Sequence, residues 1–149
     1  MQHKKRFPFV TAVHWFAFKD NQVLLARRFQ TGYMDGYYSV PAGHVDGEET
    51  AREALTREIK EEVGVTLSVD DLQFAHVMHR NQVSEPHERI DFFFCTLAFT
   101  SAFKNCEPEK CDQLAWFSLD ALPEKMVEYV RTALEHVKNE IAYSEHTEA

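Results

Sequence analysis

Two periods organise the apolar residues of this chain. From residue 9 to residue 28 apolar positions recur densely, and Lys19-Asp20-Asn21 interrupts them, which predicts strands over 9–18 and 22–28 joined as a hairpin. A four-residue spacing takes over at Ala51, Leu55, Ile59 and Val63 and marks the buried stripe of a helix. Thr50 and Glu53 frame its start as an S/T-x-x-E capping box, and Gly64 supplies the left-handed position that ends a helix. Between hairpin and helix, residues 31–36 read as a loop with two glycines, and 37–40 as a short strand leading into Pro41-Ala42-Gly43. Further strands are expected over 73–81, 90–99 and 114–117, the first two joined by a loop through 81–89. Ile90-Asp91-Phe92-Phe93-Phe94 is nearly continuous apolar sequence, as in a central strand buried on both faces. Pro123 is expected to open a last helix, with Met126, Val130, Ala133 or Leu134, Val137 and Ile141 on its apolar side. No repeat or long linker divides the pattern. It predicts one mixed α/β domain over 1–149, with 1–6 and about 143–149 as flexible tails.

The polar side of the first helix breaks two rules at once. Glu58, Glu61 and Glu62 stand at i, i+3 and i+4, where like charges share a face and repel. They also occupy the last turn, where the helix dipole disfavours carboxylates. At about 100° per residue, Glu62 lies within roughly 20° of Leu55 and Glu58 within roughly 60°. Glu62 therefore runs along the edge of the apolar face, while Glu61 lies further round, within reach of solvent or substrate. Two unit charges about 6 Å apart at an effective dielectric of about 20 repel by roughly 3 kcal/mol. A divalent cation would compensate such a cluster; a solvated acidic face is the bland alternative.

The residues on either side of the cluster favour the cation. Gly43, Glu49 and Arg57-Glu58-Ile59-Lys60-Glu61-Glu62-Val63-Gly64-Val65 satisfy G-x5-E-x7-R-E-U-x-E-E-x-G-U, with U apolar, at every specified position. The chain resembles the Nudix hydrolases. That resemblance implies an α/β/α sandwich with a mixed β-sheet. It implies a Mg²⁺-dependent pyrophosphohydrolase, Mn²⁺ being a possible substitute, acting on a nucleoside diphosphate linked to another group. It also implies metal ligation by Glu58, Glu61 and Glu62, joined by the backbone carbonyl of Gly43. Glu58, Glu61 and Arg57 form the expected catalytic set, with Glu61 as candidate general base because it is the most accessible of the three. Arg57 and Glu49 read as an ion pair that fixes the loop against the helix. The chemistry is coherent, since bound metal activates water and neutralises phosphate oxygens.

A net charge of −8 gives the chain no overall attraction for a nucleic acid polymer, and it would repel a polyphosphate unless cations intervene. Candidate phosphate-binding cations are Arg27 and Arg28 at a strand end and Arg80 and Arg89 beside a loop, each with a surface ion pair as its alternative reading. The resemblance puts Arg28 first. A base would stack on the loop 33–38 or on Phe74, Phe92 or Trp116, for which core packing is the competing reading. Residues 105–112, followed by Trp116, look like a segment of relatives that cleave nucleoside triphosphates. A (deoxy)nucleoside triphosphate, cleaved to monophosphate and pyrophosphate, is therefore the first substrate class. ADP-ribose or a nucleotide sugar is the second, although relatives of that kind often carry extra elements before the box, for which this chain has little room. A non-catalytic nucleotide sensor would be expected to lose box glutamates, and none is lost.

Cys95, Cys106 and Cys111 are odd in number and scattered, as expected of reduced thiols in the cytoplasm. On a strand His76 and His79 would point to opposite faces and make poor joint metal ligands. No apolar run reaches the length of a membrane span, and the basic start Lys4-Lys5-Arg6 leads into a strand pattern. The expected partner is a small nucleotide, without membrane or nucleic acid polymer. A homodimer is compatible with the family, and no sequence feature establishes one.

Overall fold

The structure, a computed structural model, describes residues 4–81 and 87–147. Its stem is strand β1, Phe9–Lys19. Alternation along β1 sends Val13, Trp15 and Ala17 to one face of the sheet and Phe16 to the other. One edge of β1 runs parallel to β6 (Glu88–Thr96) from Phe9 to Ala17. The opposite edge divides. Its middle, Ala12 to His14, pairs antiparallel with β4 (Ala42–His44), and its end, Phe18 and Lys19, with β2 (Gln22–Arg28). β2 also pairs antiparallel with β3 (Tyr38–Ser39) and β7 (Cys111–Ser118). Beyond β6 lie β5 (Gln73–Asn81), antiparallel, and β8 (Tyr143–Thr147), parallel to β5. The result is a mixed sheet of eight strands.

Helix α1 (Ala51–Val63) packs Leu55, Ile59 and Val63 against Val13, Trp15 and Leu24. Helix α2 (Glu128–Lys138) packs Val130, Ala133 and Leu134 against Phe16, Leu25 and Phe93 on the opposite face. The architecture is thus the expected α/β/α sandwich. Each buried aliphatic side chain of α1 contributes roughly 1.5–3 kcal/mol, so Leu55 and Ile59 together offset the repulsion among its glutamates. Both ends of α1 fall where the sequence put them. Thr50 accepts from Glu53 N–H, Glu53 returns a bond to Thr50 N–H, and Gly64 closes the helix at φ 71°.

Four expectations about elements are corrected. Pro123 does not open the last helix. Tyr38 N–H donates to Lys125 O and Val127 N–H to Tyr38 O, both at 2.8 Å, so this stretch is tied to β3 and helix geometry starts only at Glu128. Residues from 143 to 147 are no flexible tail but strand β8. His76 helps hold it through its two ring nitrogens, each 2.7 Å from an oxygen, one Ile141 O and the other Ser144 Oγ. The strand expected to reach residue 99 ends at Thr96, because Ala98 turns to φ 50° and Phe99 N–H crosses to Phe18 O. β6 is central, yet up to Phe92 only one of its faces is buried: Arg89 and Asp91 are buried while Ile90 and Phe92 stay partly exposed, and both faces are covered only from Phe93 onward. The expected loop through 81–89 includes residues 82–86, and the expected tails include 1–3 and 148–149, all outside the described residues. No helix among the described residues is long and apolar enough to cross a membrane.

Candidate active site

Chain segment 38–44 pairs first with β2 and then with β1, and a cleft of about 640 Å³ opens over this crossing. Glu58, Glu61 and Glu62 reach it from α1, Arg27 and Arg28 from the end of β2, and Asn105, Glu107 and Lys110 from the approach to β7. That approach is docked on the end of α1. Lys104 N–H donates to Val63 O at 3.1 Å and Cys106 N–H to Glu62 O at 3.0 Å, satisfying carbonyls that a helix end leaves open.

The three glutamates occupy three different environments. Glu62 is almost wholly buried, and its Oε2 has no hydrogen-bond partner among the described residues. Burial first, then the charges of Glu58 and Glu107, push its carboxyl up to about 9, against the favourable Ala42 N–H. Glu58 is also raised, chiefly by burial, with Arg57 opposing. Glu61 has a half-exposed side chain, 50% against 17% for Glu58.

Arg57 gathers the loop and the helix around one guanidinium. It donates to both Glu49 oxygens at 2.8 and 3.3 Å, to Glu58 Oε1 at 2.8 Å and to His44 O at 3.2 Å, with Asp46 and Glu61 at 3.3 and 3.8 Å. Gly43 is confined by the same side chains, because a Cβ there would overlap the Glu58 carboxylate. The overlap reaches Glu58 Cγ and Cδ as well as Oε1, so the whole side chain, which Arg57 holds at 2.8 Å, would have to turn aside. Gly43→Ala should therefore lower turnover by roughly tenfold or more through a displaced Glu58, with a thermal midpoint within a few degrees of wild type. A midpoint collapse with a proportional activity loss would instead mark Gly43 as purely structural.

The donor set suits a hard divalent cation. Its side-chain donors are carboxylate oxygens, one of them buried without a hydrogen-bond partner among the described residues, while Gly43 itself is not among the residues that line the cleft. Among the described residues, no three acidic, histidine or cysteine side chains stand ready-made around one point, since Glu58 is turned to Arg57.

The substrate-binding expectations divide. Arg27 lines the cleft but is engaged by Asp112 at 2.7 Å. Arg28 lines it while donating to Tyr33 O at 2.6 Å and Thr31 Oγ1 at 3.0 Å, with its guanidinium 5.2 Å from the Tyr33 ring. Arg80 is corrected: it is 5% exposed, donates to Asp91 at 2.6 and 3.2 Å, lies 3.6 Å over the Tyr129 ring and does not border the cleft. Trp116 is not among the residues that line the cleft. It packs against Phe99 and Phe103 in the α1-side cluster, two residues beyond the last β7 side chain that lines the cleft. The missed residues are Glu107, a fourth carboxylate that raises Glu58 and Glu62, and Lys110, an exposed cation opposite them. Segment 105–112 drew attention in the sequence, but only its docking on α1 selects these two.

Residues 8–137 match the NUDIX domain family. Among curated proteins, the chain is 31% identical over 105 residues to the NAD-capped RNA hydrolase NudC of Pseudomonas aeruginosa, covering 70% of this chain and 34% of that protein. It is 36% identical over 50 residues to the 8-oxo-dGTP diphosphatase of Proteus vulgaris, covering 34% of this chain and 45% of that protein. The chain thus spans less than half the length of these relatives. A MutT NUDIX hydrolase from Burkholderia pseudomallei superposes with a TM-score of 0.77 at 26% identity, covering 86% of this chain and 97% of that one. With the complete box, the sandwich and a match over most of its length, the chain belongs to the Nudix hydrolase family.

Proposed function

We propose that the protein is a divalent-metal-dependent pyrophosphohydrolase that cleaves the diphosphate of a nucleoside diphosphate joined to another group. The observation that carries this reading is the partnerless Oε2 of Glu62, buried at the wall of an otherwise polar cleft. A buried carboxylate oxygen in that state calls for a proton or a cation. Glu58, Glu61, Glu62 and the Gly43 carbonyl would hold Mg²⁺ or Mn²⁺, which when bound supplies a more acidic water and charge neutralisation at the phosphates. Glu61, the exposed member, takes the proton of the attacking water. Glu107 stands across the cleft and shares the negative field that water must enter. Arg28 and Lys110 face the phosphate chain from the other side. Arg57 holds Glu58 and the Glu49 loop in register and acts as a positioning residue.

Triphosphates of nucleosides or deoxynucleosides are the first substrate class. Segment 105–112 lines the cleft, and a relative acts as an 8-oxo-dGTP diphosphatase. ADP-ribose and nucleotide sugars are the second. A chromatographic panel of dNTPs, 8-oxo-dGTP, NTPs, ADP-ribose and nucleotide sugars with Mg²⁺ tests both. Monophosphate plus pyrophosphate is the expected result. Cleavage of ADP-ribose or a nucleotide sugar alone would move the substrate to the second class, and no cleavage of any of them with Mg²⁺ or Mn²⁺ would remove both classes and point to a substrate outside the panel or to a non-catalytic sensor.

A further inference from the structure

Arg28 reaches the cleft already held, and the loop that follows it does the holding. Residues 30–36 leave the end of β2 and return to it, where Gly36 N–H donates to Arg28 O at 2.8 Å and Arg28 N–H to Tyr37 O at 2.9 Å. Within that neck Gln30 and Met34 stand in the left-handed region, at φ 54° and 50°. Non-glycine residues persist there only where their surroundings fix them. The fixing group is Asp35. Its carboxylate accepts from Thr31 N–H at 3.0 Å, from Gly32 N–H at 2.9 Å and from the Thr31 hydroxyl at 2.5 Å. That hydroxyl first, then the two amides, hold the carboxyl below the usual range, so it is anionic at neutral pH.

The Thr31 hydroxyl hydrogen goes to Asp35, the nearer of its two acceptors, which leaves Oγ1 to accept. Arg28 Nη2 donates to it at 3.0 Å and Arg28 Nε to Tyr33 O at 2.6 Å, with the exposed Tyr33 ring 5.2 Å from the guanidinium. The loop thereby takes one edge of the guanidinium. The other edge, Nη1 and the second hydrogen of Nη2, has no hydrogen-bond partner among the described residues. A guanidinium is a rigid fork of N–H donors, so fixing one side presents the opposite side as a bidentate seat for phosphate. Arg28 and Thr31 line the cleft, and Asp35 does not.

We propose that Asp35 is a positioning residue: through Thr31 it locks the loop that grips one edge of Arg28, so that the other edge meets a phosphate of the nucleotide in the cleft. The proposal rests on the pyrophosphohydrolase reading and adds to it a residue that touches neither substrate nor metal. Its contribution is preorganisation, because an arginine loses rotamer freedom on gripping a ligand and this one is fixed before the ligand arrives.

KM and kcat for dGTP with Mg²⁺, and the calorimetric Kd of its α,β-methylene analogue, which binds without turnover, test the role in the intact chain. Asp35→Ala should raise KM and Kd about tenfold, the scale of one charge-assisted hydrogen bond, with kcat held within about twofold. Thr31→Val, which removes only the hydroxyl, should act in the same direction and decides the matter if Asp35→Ala does not fold. Asp35→Asn, which keeps an accepting oxygen, should recover part of the affinity. Added to Arg28→Ala, Asp35→Ala should weaken binding no further, because its effect passes through that arginine. Wild-type affinity in both Asp35→Ala and Thr31→Val, tighter binding, or a loss fully additive with Arg28→Ala would overturn the proposal, as would a wild type that does not bind the analogue. If dGTP is not cleaved but the analogue still binds more weakly in Asp35→Ala, the hydrolase reading falls for that nucleotide and the positioning role stands. If dGTP is cleaved with wild-type constants in both variants, the reverse holds.

Discussion

Glu62→Gln should lower Mg²⁺-dependent turnover by roughly a hundred- to thousandfold while leaving the metal-free thermal midpoint unchanged or slightly higher. The buried Glu62 carboxyl has its pKa pushed up to about 9 by burial and by Glu58 and Glu107, so at neutral pH the metal-free protein holds it mostly as the neutral acid. Glutamine has nearly the shape of that acid and removes a charge the surroundings disfavour. What it cannot do is offer an anionic oxygen to a cation. The same substitution should abolish the rise in midpoint that Mg²⁺ gives the wild type, a rise of about 2.7 kcal/mol of stability at a hundredfold excess over Kd. Two instruments thus read one residue, an assay of turnover and a melting curve with and without Mg²⁺. Near-normal turnover, or a Mg²⁺ shift that persists in the variant, would show that Glu62 is no ligand.

The largest effect on stability is expected at Asp91, which does not line the cleft. This wholly buried carboxylate accepts from His14 Nε2 at 2.9 Å and from Arg80 Nε at 2.6 Å. Burial alone would raise its pKa, but the hydrogen bonds and charges of His14 and Arg80 outweigh burial and hold it below the ordinary range. The sign follows from that direction. The unfolded chain takes up its proton first, near pH 3.9, so the stabilisation is fully present above that value and is lost as pH falls toward the lower folded value. Asp91→Asn should destabilise by about 3 kcal/mol at neutral pH and should flatten the acid limb of the stability curve below about pH 4. Denaturant titrations at several pH values measure both. A variant as stable as wild type at pH 7 would show that the pair is replaceable.

The first helix was readable to the residue, because every signal for it is local. Thr50, Glu53 and Gly64 mark its ends within one stretch of chain, and the spacing of its glutamates carries the chemistry within the same stretch. Strands 22–28 and 73–81 were readable for the same reason, from dense apolar runs between turn residues. What escaped depends on partners distant in sequence. Strand β8 reads Tyr-Ser-Glu-His-Thr, a polar edge whose strand character comes from β5, more than sixty residues earlier in the chain. Strand β4 contains Gly43, a poor strand former that is held by pairing with Val13. Arg80 and Trp116 looked like ligands because an arginine beside a loop and a tryptophan beside a motif carry no label for the face they occupy. Glu107 and Lys110 reach the cleft only because Lys104 and Cys106 bond the end of α1.

The split edge of β1 has a consequence for how this protein can change. Segment 38–44 pairs with β2 and then with β1, and the cleft opens where those two pairings part. Its width is therefore a property of main-chain branching and not of the groups along the rim. Arg27, Arg28, Lys110 and Glu107 are hung on that frame as interchangeable fittings. A lineage could swap them and present a new chemistry to a new substrate while the aperture and the acidic helix beneath it kept their dimensions.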